Sequence, residues 1–341
     1  MTDVKAFLYE ICIPSIGILC VLAAVLNIAI FVSRFYVKSR SATLELTYSL
    51  ALSDTWTSVV IAISLCWNSY KPVVLQIPHT SYCFPLTLEA FRTGGLLTGI
   101  IHLVALAVAH YLQILRPFDH QKILSLRTVQ LVIFFIWALP PLSLFIYFSS
   151  WPEQGYRNEA CIGIAFYENL YFRAQISLII IVLMITTSVL YWKMLSKVSE
   201  VRSKTTLAAS ARGRRTVVTA TLIFGTFLIG WTPASILFLL TADGMPLHRK
   251  SGLLVNVLSI VVLINIMVKS LTNPIIYATR IPEIRHFVLH RLLWRIAPLR
   301  EEQSAVQYSF ANIKEKRKPL LDQPLQGIRL PGRVIEPVDG V

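Results

Sequence analysis

The chain has 341 residues, 55% of them hydrophobic and only 15% charged, with 32 Lys and Arg against 18 Asp and Glu for a net charge of +14. So apolar a composition cannot furnish both a core and the wetted surface of a soluble globule, which leaves a polytopic membrane protein. The cationic excess sits in short loops on one side and in a terminal tail, a distribution that suits an anionic membrane surface and excludes a dedicated nucleic-acid binder.

A membrane-spanning helix needs about 17–25 apolar residues. Seven runs qualify, at 11–33, 46–70, 93–109, 128–152, 174–192, 216–242 and 251–279, and the third extends toward Cys83 as a more polar end. Unpaired backbone groups are too costly in lipid for runs of this length to be anything but helices. The expected architecture is therefore an all-α bundle of seven spans over 11–279, preceded by a short outer segment, 1–10. That segment lacks the basic n-region and small-residue cleavage site of a signal peptide, so the first run reads as a retained span.

Sidedness follows from Lys and Arg. Loops 34–43, 111–127 and 193–215 carry Arg34, Lys38, Arg40, Arg116, Lys122, Arg127, Lys193, Lys197 and a further basic cluster ending at Arg215. The opposite loops carry only Lys5, Lys71, Arg157, Arg173, Arg249 and Lys250, which puts the amino terminus outside. Of five cysteines, Cys12, Cys20 and Cys66 fall in spans, whereas Cys83 and Cys161 share the oxidising side. A Cys83–Cys161 disulfide is the natural pairing, the alternative being two free thiols.

After the seventh span, residues 280–296 alternate Arg and His with large apolar residues at helical spacing, as in an amphipathic helix lying in the interface. The tail 297–341 is rich in Pro, Gln and charge and reads as disordered. It holds no cysteine for palmitoylation and only Ser304 and Ser309 as Ser/Thr phosphoacceptors. No internal repeat appears, which weighs against a carrier built from duplicated halves.

Of Asp, Glu, Lys and Arg, just two side chains lie in the middle of the spans, Asp54 in the second and Lys269 in the seventh. Each alone at the bilayer centre would cost at least about 2.5–3.5 kcal/mol, so an ion pair or hydrated cluster is the expected arrangement. Lys269, Asn273 and Tyr277 recur every four residues and share one helix face, which is expected to meet Asp54. Such a pair serves either as a static strut or as a polar switch.

Five motifs in order give the chain its resemblance. Asn27 stands in "VLNIAI", Asp54 in "LALSD", Trp137 in "FFIWALPP", Phe227, Trp231 and Pro233 in "FLIGWTP", and Asn273 to Tyr277 read "NPIIY". Together they resemble the rhodopsin-like (class A) G-protein-coupled receptors over essentially the whole membrane portion. The resemblance implies a plasma-membrane receptor whose partners are an extracellular ligand, a heterotrimeric G protein and the bilayer, with no enzymatic activity, cofactor or metal. Pro233 and Pro274 each remove a helix hydrogen bond, and such kinks act as hinges.

Departures from the family pattern matter as much. "AHYLQILRPF" stands where the family has Asp-Arg-Tyr, so that Ala109 replaces the acid and His110 the arginine, while Tyr111, Pro117 and Phe118 are kept. Histidine is shorter and only partly charged near neutral pH. Either coupling survives through Tyr111, Phe118, Tyr191, Tyr277 and the basic third loop, or the protein is a receptor-shaped scaffold or heteromer partner that does not signal. No acid stands near Gly213 to form the family's inner ionic latch. In the family's sodium pocket, Gly99 and Lys269 replace the usual serine and asparagine, so an ammonium beside Asp54 would compete for the cation's place.

Toward the outer end, the resemblance puts Arg92 where amine receptors keep an aspartate, which disfavours monoamines. A guanidinium suits a carboxylate or phosphate, although Glu89, three residues earlier, could simply neutralise it. Leu96, Ile100, Trp231, Phe227 and Phe238 are the expected apolar lining beneath. An acidic peptide, a lipid acid or another small anion all fit this reading. The fifth span lacks the family's proline near Leu183, a trait of lipid and melanocortin branches that generally also lack the outer disulfide. No outer Asn-x-Ser/Thr sequon is present.

Rival classes fare worse. An opsin's lysine precedes the Asn-Pro asparagine by six residues, whereas Lys269 precedes Asn273 by four, about 200° away around the helix, and Met267 fills the retinal-facing place. An intramembrane metallohydrolase needs ligands from several helices at one depth, and the histidines do not supply them. A channel or carrier would have to use Asp54 and Lys269 as polar stepping stones.

Overall fold

The computed structural model describes residues 2–202, 207–248 and 253–292. Among them seven helices are long and apolar enough to cross a membrane. They are α1 (Thr2–Ser33), α2 (Ala42–Leu65), α3 (Cys83–Leu115), α4 (Leu126–Phe148), α5 (Leu170–Arg202), α6 (Leu207–Leu240) and α7 (Leu253–Arg280). The protein is a multi-pass, all-α membrane protein. A short eighth helix, α8 (Pro282–Phe287), continues as a wider π turn, Val288–Leu292. The rest of the interfacial helix expected over 280–296, the tail 297–341 and its Ser304 and Ser309 lie outside the described residues.

The ends of the helices are set by local chemistry. Ser41 and Ser125, in extended backbone, accept from the amides of Leu44 and Thr128 and so start α2 and α4. Pro282 opens α8 at the position where a missing N–H costs nothing. Several helices outrun their apolar runs: α1 starts at Thr2 rather than Ile11, and α5 continues to Arg202 rather than Trp192. Early α1 is held because Leu8 and Tyr9 pack on the α1/α7 cluster and the Tyr9 hydroxyl donates to Asn256. In the other direction α4 stops at Phe148, four residues short of the apolar run's end at Pro152, where the Ser149 amide closes the last turn on Ile146 and Phe145. Beyond Leu65, α2 widens into a π turn, Cys66–Tyr70, and then Lys71–Val73.

Helix contacts close a ring in the order α1, α2, α3, α5, α6, α7 and back to α1, with α4 packed outside on α3 and α2. Because α3 touches α2, α4, α5 and α6, it is the central post. The bundle keeps its polar side chains inside an otherwise apolar core and turns apolar ones outward, as a lipid solvent demands. Asn27, Asp54, His102, Lys269 and Asn273 are buried, whereas Phe134, Leu139, Ile185 and Ile229 are exposed. At one end of the bundle Cys83 and Cys161 form the disulfide, 78 residues apart in sequence. The end that carries it is called the disulfide end below. Its loop turns at Gly155, with φ +53°, where an added Cβ would lie 2.5 Å from the Phe148 carbonyl oxygen, so only glycine fits.

Candidate functional site

Both oxygens of the Asp54 carboxylate are used from α7. Lys269 Nζ donates to Oδ1 at 2.8 Å and Asn273 Nδ2 to Oδ2 at 2.7 Å. The two charges are each only 4% exposed. One helical turn separates Lys269 from Asn273, which is why a single carboxylate can engage both. On α1, Asn27 Nδ2 donates to the carbonyls of Ala23 and Ser270 at 2.9 Å, tying α1 to the same turn of α7. Tyr277, further along that face, is fully buried, and its hydroxyl has no partner among the described residues.

Room for the lysine comes from α6. A Cβ added to Gly230 would lie 3.2 Å from the Lys269 Cβ, tighter than ordinary packing, and 3.6 Å from its Cγ. The glycine that replaces the motif cysteine thus faces the lysine that replaces the motif asparagine. Beside the ion pair a cavity of about 10 Å³ remains, bordered by Asp54, Gly99, Trp231 and Lys269. That is at the lower limit for one water molecule.

A second polar chain braces α2, α3 and α4. His102 Nδ1 faces the Thr98 carbonyl at 2.9 Å and so carries the proton, leaving Nε2 to accept from the Ser49 hydroxyl at 2.8 Å. The Ser49 oxygen in turn accepts from Trp137 Nε1 at 3.0 Å. This explains why an indole suits the fourth-helix motif.

Above Trp231, toward the disulfide end, lies a cavity of about 240 Å³ lined by Arg92, Leu96, Tyr167, Trp231, Phe238 and neighbours on α5 and α7. Ile100 is not in this lining: it is completely buried in the core, one turn below Leu96, because the cavity closes at Leu96 and Trp231. Phe227 is likewise buried core. Arg92 is neutralised by Glu89, whose Oε1 also accepts from Thr93 at 3.4 Å and from the Tyr167 hydroxyl. Tyr167 was not legible as a site residue. It arrives from the loop after α4 on a single helical turn, Ala165–Glu168, and burial beside Glu89 pushes its phenol above the usual range.

At the opposite end His110 is buried and its Nδ1 has no hydrogen-bond partner among the described residues. Tyr191 is buried against Phe224, ring centroids 5.1 Å apart, in a small cluster with Ala107 and Met194 that Tyr111 flanks. Phe118 lies in the short helix Pro117–Ile123 that follows α3. This end also has a link between Arg34 and buried Glu45, 2.9 Å apart, at the base of α2.

The seven-helix ring, the buried Asp54–Asn273 contact and the disulfide stand together with a sequence match: the 7 transmembrane receptor (rhodopsin family) profile covers residues 26–277. The chain belongs to the rhodopsin family of seven-transmembrane receptors. A comparison with curated proteins finds no match. In this rhodopsin-family chain the matched region includes the buried polar contacts of α1, α2 and α7, from Asn27 to Asn273.

Proposed function

We propose that this chain binds an extracellular ligand in the 240 Å³ cavity and passes the event to a heterotrimeric G protein at the far end, with the disulfide end and the amino terminus outside the plasma membrane. The observation that carries the reading is the position of Trp231, which borders both the large cavity and the small one beside the Asp54–Lys269 pair. A ligand that moves this indole would reshape the small cavity beside the polar pair. The lining holds Arg92 and no carboxylate, and Glu89 behind it is engaged through Oε1 by Arg92, Thr93 and Tyr167, so the ligand is an anionic small molecule, a lipid acid or an acidic peptide rather than a monoamine. Arg92, Leu96, Trp231 and Phe238 are the contacts assigned to it.

In this reading Asp54, Lys269 and Asn273 form the polar switch, with the lysine ammonium replacing sodium. Thermal stability and basal activity of the wild type are expected to be the same in sodium and in N-methylglucamine buffers, and Lys269→Asn is expected to gain sodium dependence. Marked sodium dependence in the wild type that persists unchanged in Lys269→Asn overturns the substitution.

Coupling is assigned to His110, Tyr111, Phe118, Tyr191 and Tyr277. A histidine reaches less far than arginine toward a partner and offers fewer charged donors. In cells, G-protein recruitment is expected to be detectable for the wild type and at least about tenfold higher for His110→Arg, since one gained charge-assisted hydrogen bond at about 1.5–3 kcal/mol corresponds to roughly 10- to 150-fold. Recruitment by the variant alone would favour the scaffold reading, for which the buried, unpartnered His110 is the motive.

A further inference from the structure

Arg173, the fourth residue of α5, is only 9% exposed. Its Nε donates to the Tyr167 carbonyl at 3.0 Å, and its Nη1 donates to Thr241 Oγ1 at 2.6 Å and to the Phe238 carbonyl at 3.4 Å. The guanidinium carbon also lies 5.4 Å from the ring centroid of Tyr167 and 5.0 Å from that of Phe238. Every one of these partners is neutral. Among the described residues the other buried Asp, Glu and Lys side chains have a partner of opposite sign: Glu45 has Arg34, and Asp54 and Lys269 have each other. Arg173 forms no ion pair with a described carboxylate, although a buried charge is costly unless it is compensated. Cation–π contacts soften that cost and leave the charge in place.

The side chain's position gives the missing charge a source. Tyr167, Phe238 and Thr241, which hold Arg173, all line the 240 Å³ cavity. Arg173 itself stands behind that wall and not in the lining, so this end of the cavity has one guanidinium in its wall, Arg92, a second held directly behind it, Arg173, and one carboxylate behind Arg92, Glu89, whose engaged oxygen already serves Arg92, Thr93 and Tyr167. The net charge of this cluster is +1, and below it the lining at Leu96, Trp231 and Ile266 is apolar.

We propose that Arg173 is the charge partner of a small amphiphilic carboxylate, whose apolar body fills the cavity down to Trp231. The proposal rests on the receptor reading above and narrows its ligand. A monoanion balances the cluster, whereas a dianion such as a phosphate monoester would leave a surplus buried charge and an ammonium would add to it. Size follows from volume: since a cavity of about 150 Å³ holds benzene, one of about 240 Å³ takes a body of about ten non-hydrogen atoms. The 3.4 Å bond to Phe238 is the longest that Arg173 makes and the one a carboxylate would replace with a charge-assisted one.

The test uses the purified full-length chain in detergent, with octanoate, methyl octanoate and octylamine as matched probes. Octanoate is expected to raise the unfolding temperature in a concentration-dependent way, since a ligand that binds only the folded state stabilises it, and the ester and the amine are not. Arg173→Gln is expected to weaken octanoate at least tenfold and Arg173→Lys to fall between. Ligand-free Arg173→Met is expected to unfold no earlier than the wild type, because it removes an uncompensated charge. Equal protection of wild type and Arg173→Gln, equal protection by the ester, or no protection of the wild type overturns the assignment. So does an Arg173→Met protein that unfolds earlier while octanoate protects it as it does the wild type, which marks the arginine as a strut between α5 and α6. Ligand-independent G-protein recruitment tests the receptor reading separately: a chain that recruits G protein and ignores octanoate sinks this inference alone.

Discussion

Replacing Lys269 by methionine is expected to destabilise the receptor by roughly 3–5 kcal/mol, the cost of leaving one buried charge without its partner. Asp54 would keep only the amide of Asn273, at 2.7 Å, and a carboxylate that is 4% exposed cannot call on bulk water. Protonation of the survivor caps the loss, since a group stranded in a dry site neutralises rather than pay full desolvation. Asp54→Asn should be similar in size, with the ammonium as the stranded group. The pair Asp54→Asn and Lys269→Met together should recover more than half of either loss, because the new amide still meets Asn273 and the methionine fills the lysine's path past Gly230. Unfolding temperatures of the four proteins, measured in one detergent, give the cycle. Additive losses would show that the two charges, 2.8 Å apart, contribute independently, and the ion pair would cease to be the brace between α2 and α7.

Why this pair is legible in the sequence, and its neighbours are not, is a matter of solvent. Lipid penalises every charge in a span, so two of opposite sign at mid-depth in a 341-residue chain stand out and have few ways to be satisfied. The same penalty makes seven apolar runs visible, but it lapses at the interface. There, polar residues are free to extend a helix, and α1 and α5 run past the runs that announce them. Arg173 looks like one more basic residue of an outer loop in the sequence, and only the fold shows it roofed by Tyr167 and Phe238. Gly230 gives a single weak sign, its departure from the motif cysteine, and its meaning depends on a lysine 39 positions later whose stem needs the space. Ile100 follows Leu96 by one turn and by spacing belongs to the same lining, yet the depth at which the cavity closes is a property of the packing around Trp231.

Removing the Cys83–Cys161 bridge is expected to be the other large perturbation. Chain-entropy reasoning for a closed loop of about 80 residues gives about 4.5 kcal/mol at 25 °C. That is an upper figure here, because the bilayer already restricts α3 and α4 within the loop, so a loss of about 2–4 kcal/mol is expected for Cys83→Ser with Cys161→Ser. The bridge also anchors the loop that delivers Tyr167 to Glu89, together with the Tyr82 amide bond to Ala160 at 2.9 Å and the contact of Thr87 with the Tyr156 hydroxyl at 3.0 Å. Loss of the bridge should therefore lower the value of the Tyr167 hydroxyl. Tyr167→Phe is expected to cost about 1–3 kcal/mol with the bridge intact, as a buried hydrogen bond to a charged group is lost, and under half of that without it. Thermal unfolding of the bridged and unbridged proteins, each with and without Tyr167→Phe, measures both quantities. If the serine variant unfolds at the wild-type temperature and Tyr167→Phe costs the same in either background, the loop holds its place over the cavity by the hydrogen bonds of Tyr82 and Thr87 and the packing of Trp151 on Phe166, and the bridge has no part in shaping the cavity's roof.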